Sequence, residues 1–140
     1  MLQLRFLLIS LFLIGMWSCQ SGSEQQENEE YTKYYDSVMV IHDRTMPFMN
    51  TIDQLRQQIK EKKDALENGS ESEVMDLNQL LGELNKGEDA MYDWMHNFKP
   101  DSIQEDEKLQ YIQNELHSIR RMEEIMMSGI HQAEEFLGSE

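Results

Sequence analysis

The stretch that decides the fold runs from Tyr31 to Leu66 and reads YTKYYDSVMVIHDRTMPFMNTIDQLRQQIKEKKDAL. Within it Tyr31, Tyr34, Val38, Ile41, Thr45, Phe48, Ile52, Leu55, Ile59, Lys62 and Leu66 follow one another in steps of three or four. That is the spacing of a helix that packs along its whole length against other helices, and only Thr45 and Lys62 interrupt the apolar run. Alternation at every second residue, which a half-buried strand needs, is missing. A helix from Glu29 to Glu67 would be about 58 Å long.

Pro47 lies inside this stretch, in Met46-Pro47-Phe48-Met49. Proline lacks the backbone donor, crowds the carbonyl four residues back and costs about 3 kcal/mol in a helix interior. The three-four phase passes through Pro47 without a slip, which predicts a kink rather than a break. The kink makes this the one irregular node on a regular helix.

Outward from this helix, Asn28 is placed to cap its start, and Asn68-Gly69 to stop it. Ser70-Glu-Ser-Glu73 has the form of a capping box and opens a second helix. Its stripe is Val74, Leu77, Leu81, Leu84, Glu88, Met91, Met95 and Phe98, widened by Leu80, Gly87 and Trp94. Gly87 marks either a kink or a close helix approach. Lys99-Pro100-Asp101 ends this helix, and Ser102-Ile-Gln-Glu105 repeats the capping-box pattern. A third helix carries Leu109, Ile112, Leu116, Ile119, Glu123, Met126, Ile130, Ala133 and Leu137, and Gly138 closes it. The prediction is an all-α, up-down-up bundle of three long helices over residues 31–138, with the first kinked near Pro47. Folding the helices at two tight turns puts Thr45 level with Trp94 and Asp106, and Lys62 level with Leu77 and Glu123. Lys62 and Glu123 then either pair across the bundle or both reach to water.

The other end of the chain speaks to location. Arg5 precedes an apolar run from Phe6 to Met16, which is too short to span a bilayer of about 20 apolar residues and ends at Ser18-Cys19. Residues 1–18 read as a signal peptide similar to those of bacterial lipoproteins, with Cys19 the lipidated residue. Cys19 is the single cysteine, so no internal disulfide and no thiolate metal site can form. Residues 20–30 hold no apolar side chain and read as an acidic, disordered tether. Gln20 after the cysteine favours the outer membrane over inner-membrane retention.

The chain holds 12 basic and 27 acidic residues, a net charge of −15. Removing residues 1–18, whose one charge is Arg5, gives −16. Such a field repels nucleic acid and anionic lipid, and favours cations and basic peptides.

Two clusters are candidate sites. His42, Met46 and Met49 on the first helix face Met91, Met95 and His96 on the second. Thioethers with imidazole suit Cu(I), and the indole of Trp94 can lie over that cation. The same region, as Met46, Phe48, Met49, Trp94 and Met95, also reads as an adaptable apolar surface for a protein partner, or as ordinary core. Met75, Met122, Met126, Met127 and His131 form a second methionine group at the opposite end, read as core and surface filler. Asp43, Asp89, Asp93 and Asp106 could converge near the kink, though solvated helix faces explain them more simply. No nucleophile elbow, phosphate loop or zinc signature occurs, so the expectation is a non-enzymatic protein without a cofactor, copper being the alternative.

Val38-Met-Val-Ile-His-Asp-Arg-Thr-Met-Pro-Phe-Met49 and Met91-Tyr-Asp-Trp-Met-His-Asn-Phe98 resemble two motifs of small helical lipoproteins of Bacteroidetes, some of them labelled "viral A-type inclusion protein". The resemblance covers the mature chain. It implies a helical envelope lipoprotein and no particular activity. Both motifs fall on the kink region, which makes that end a candidate functional surface.

Overall fold

Two turn residues, Met46 and Pro47, divide the organising stretch into α1, Gln20–Thr45, and α2, Phe48–Ala65. This computed structural model describes residues 20–66 and 70–138. At the division the Met46 N–H donates to the His42 carbonyl at 2.8 Å. Beyond the proline the chain restarts with tighter bonds, Met49 N–H to Met46 O at 3.1 Å and Asn50 N–H to Pro47 O at 3.2 Å. Pro47 itself keeps helical angles, φ −59° and ψ −25°. The helix therefore bends and continues, as the unbroken phase predicts.

The other elements are α3, Glu71–Asn97, two 3₁₀ turns at Pro100–Ser102 and Glu105–Glu107, and α4, Lys108–Gly138. The described residues form an all-α three-helix bundle with no strand. α3 and α4 share the most extensive interface. α1 packs mainly on α4, whereas α2 packs mainly on α3 and less on α4. The kink thus redirects one continuous stripe from one neighbour to the other.

The stripe itself is buried as its spacing requires. Val38, Ile41, Thr45, Ile52, Leu55 and Ile59 are buried, while Tyr31, Tyr34, Phe48, Lys62 and Leu66 are half-buried at its ends and at the bend. On α3 the widened line is the deeper one, with Leu77, Leu80, Leu84, Gly87, Met91 and Trp94 all buried. On α4 Met122 and Gly129 join the predicted line.

Ser70 caps α3, its hydroxyl accepting from the Glu73 N–H at 3.2 Å. The second capping pattern folds otherwise. Pro100 starts a 3₁₀ turn, and the Ser102 hydroxyl donates to the Lys99 carbonyl at 2.8 Å instead of capping a helix. A second 3₁₀ turn follows, so α4 opens at Lys108. That longer connection shifts α4 along α3 relative to a tight turn. Glu123 consequently stands beside Thr45 at 3.3 Å and pairs with Arg44, not with Lys62. Lys62 lies with its ammonium 4.9 Å from the centre of the Phe136 ring.

The N-terminal boundary differs too. α1 begins at Gln20, so the segment expected to be a disordered tether is helical here, with the side chains of residues 25–30 exposed. Glu and Gln are strong helix formers, and helix continuing from a packed segment needs no new nucleus. Asn28 lies within α1, its carbonyl accepting from the Thr32 hydroxyl at 2.9 Å, so it is no cap. The signal segment, Cys19 and Asn68-Gly69 lie outside the described residues. Among the described residues no helix is long and apolar enough to cross a membrane.

Candidate functional site at the kink

Because α1 is drawn onto α4, its backbone stands apart from that of α3, and large rings fill the space between. Tyr31 stacks on Tyr35 with centroids 6.1 Å apart, and Tyr35 meets Phe98 at 6.1 Å. Phe98 stacks on Trp94 at 4.8 Å, and Trp94 faces His42 at 5.7 Å. Tyr111 of α4 joins through Phe98 at 6.3 Å and accepts the Lys99 N–H at 2.7 Å. Burial raises the Tyr111 phenol above its ordinary pKa, and the Lys99 bond offsets part of that. Tyr31 is raised chiefly by burial as well, with Lys108 opposing.

The polar positions in the stripes are used structurally. Thr45 is fully buried; its hydroxyl donates to the Ile41 carbonyl at 2.7 Å and reaches Glu123 at 3.3 Å. Arg44 clamps the same carboxylate from outside through Nε at 2.7 Å and an Nη at 2.6 Å. This bidentate bond holds Glu123 below the usual carboxylate range, against an opposing effect of burial. Past the kink Arg56 bridges Asp53 at 2.7 Å and Glu88 of α3. Thus Arg44–Glu123 ties α1 to α4, and Arg56–Glu88 ties α2 to α3.

The candidate ligands fall into different environments. Met91 is fully buried in the core. Met46, Met49 and Met95 are half-buried against it, as is Phe48. His42 is half-buried, with Nδ1 3.0 Å from the Asp43 carboxylate and its ring against Trp94. His96 is exposed. Among the described residues no three His, Cys, Asp or Glu side chains are grouped to hold a metal ion. The four aspartates separate: Asp43 goes to His42, Asp89 and Asp93 line a groove between α3 and α4, and Asp106 lies by Tyr31 and Lys108 at the bundle's end. In the second methionine group Met122 and Met126 are core, while Met75, Met127 and His131 are exposed.

Trp94 meets both α1, through His42, and α4, through Glu115. It is 6 % exposed, and its indole N–H is buried facing Glu115 of α4, short of full hydrogen-bond geometry. Burial pushes the Glu115 carboxyl up, and the indole N–H counters part of this. Reading for periodicity missed Arg44, Arg56, Tyr35 and Tyr111, because each lies beside a stripe rather than on it. Arginine one residue from a stripe position was the available signal.

Comparison with family models, with curated proteins and with solved structures found no match.

Proposed function

We propose that this chain is a lipid-anchored protein of a bacterial envelope whose bundle binds another protein and catalyses no reaction. One observation carries the reading: Met46, Phe48 and Met49 at the bend and Met95 on α3 are each half-buried against a core that includes Met91 and Trp94. A rigid core behind flexible thioethers gives a surface that adapts to a partner at little cost in order. Of the ion pairs flanking the bend, Arg44–Glu123 and Arg56–Glu88 hold helices together. The lipoprotein-like signal and Cys19 supply the anchor.

A photo-crosslinking residue placed at Met49 or Met95 of the full-length protein, in intact envelopes, tests the reading. A discrete crosslinked protein from both positions and none from the exposed Gln132 is expected. Equal labelling from Gln132, or no product from either kink position, refutes it. Cys19→Ser checks the anchor separately, because loss of lipid moves the protein from the membrane to the soluble fraction.

A further inference from the structure

A second face bears on partner chemistry independently of the kink. We propose that the groove lined by α3 and α4 alone binds a cationic, amphipathic helix of a partner protein. Two open hollows, about 560 Å³ and 240 Å³, share Ala90, Asp93 and Ile125 and so adjoin along one shallow groove. It runs from Glu83 to Asn97 on α3 and from Ser128 back to Glu115 on α4. Fourteen helical rises make it about 21 Å long, enough for roughly four turns of a docked helix. The close approach of α3 and α4 leaves the small side chain of Ala90 in its floor, beside Met122 and Ile125. Ile125 is 39 % exposed, an apolar branch open to water.

The rim selects the partner's charge. Glu83, Asp89, Asp93, Glu115 and Glu124 line the groove, against Lys86 and Arg121. Lys86 is already tied to Glu83 at 2.7 Å. Among the described residues these carboxylates do not gather into a metal-sized cluster. Their field is spread along the groove, which suits a row of lysines or arginines rather than one ion. A net charge of −15 disfavours a second copy of this chain as the occupant. An amphipathic helix laid here would rest its apolar face on Ala90 and Ile125, with its cations at the two rims.

The test uses the full chain in non-ionic detergent and a labelled leucine–lysine peptide of about 14 residues that forms an amphipathic helix. A scrambled peptide of the same composition, without an apolar face, is the control. By anisotropy the amphipathic peptide should bind about tenfold more tightly than the scrambled one. Asp89→Lys with Asp93→Lys should weaken it about tenfold, whereas Glu61→Lys with Asp64→Lys on α2, an equal change in net charge, should shift binding less than about threefold. Ile125→Ser should also weaken it. Circular dichroism confirms that each variant is folded. Equal binding of the two peptides, equal loss from the α2 reversal, or no binding overturns the proposal. None of these outcomes touches the crosslinks expected at Met49 and Met95.

Discussion

Two seams of this bundle solve the same packing problem in opposite ways. Between α3 and α4 the backbones nearly touch. A methyl added at Gly87 would sit 2.9 Å from the Met126 Cα, and one at Gly129 would sit 2.8 Å from the Glu83 carbonyl oxygen. Between α1 and α3 the backbones stand apart, and the gap is bridged by tilted ring pairs, Tyr35 on Phe98 and His42 on Trp94, with Trp94 and Phe98 stacked on each other. Both seams come from stripes with three-four spacing. The spacing decides which face is buried, and side-chain size decides how far apart the helices stand. The proposed partner surface lies at the bend where the wide seam ends, and the tight seam frames the acidic groove.

The tight seam should be the easier to break. Gly129→Ala meets backbone on every near side, the Glu83 oxygen and carbon and the Leu84 nitrogen, so no rotamer change relieves it. Overpacking of this kind costs about 1–3 kcal/mol, and alanine's better helix propensity returns at most about 1 kcal/mol. Gly129→Ala should therefore lower stability in urea by about 2 kcal/mol, with Gly87→Ala close behind. Gly82, where an added methyl meets nothing within 4 Å, provides the contrast. Gly82→Ala should raise stability by about 0.5–1 kcal/mol. If all three substitutions move stability in the same direction, the seam is not held by contact at glycine.

The wide seam should yield less sharply, because its rings other than Trp94 are half-buried and can shift. Phe98 touches Trp94, Tyr35 and Tyr111, so Phe98→Ala removes the hub. A loss of about 1–1.5 kcal/mol is expected, below the 3–5 of a fully buried phenylalanine. Trp94 emission should move to the red as water reaches the indole. Tyr92, two residues before Trp94 but 56 % exposed, should tolerate alanine within about 0.5 kcal/mol. A tryptophan spectrum unchanged by Phe98→Ala would mean that the stack does not shield the indole.

The contrast also shows where sequence suffices. The stripe from Tyr31 to Leu66, the bend at Pro47 and the Ser70 cap are periodic or local signals, and each survives folding. The level of α4 was not legible. Ser102-Ile-Gln-Glu105 has the letters of a capping box, but Pro100 fixes a 3₁₀ turn that engages the Ser102 hydroxyl with Lys99. The two 3₁₀ turns delay α4 to Lys108, and the delay moves Glu123 away from Lys62 toward Thr45. Gly87 sat on a stripe and was readable as a close approach. Gly129 lies seven residues beyond Met122 and was passed over because a glycine carries no hydrophobic weight. At the kink, residue type alone grouped His96 with Met91, although one is exposed and the other fully buried.

The smallest effects separate two carboxylates on α4 that sit about two turns apart. Glu123, bound by Arg44, has its folded pKa lowered, so it stabilises the fold above the unfolded value, and the benefit is lost as pH falls through the folded one. Glu115 is the reverse. Burial raises its folded pKa, so its ionised form weakens the fold at neutral pH, and the penalty fades as pH falls through the carboxylate range. Glu123→Gln should thus lower the melting temperature at pH 7, and Glu115→Gln should raise it, the latter within about 0.5 kcal/mol. Both differences should shrink toward zero below the carboxylate range, from opposite sides. Melting curves from neutral to acid pH read this directly. If Glu115→Gln destabilises at pH 7, then the buried indole N–H of Trp94 depends on that carboxylate more than burial disfavours it. The α3–α4 seam would then be joined by a hydrogen bond at its outer end as well as by contact at its glycines.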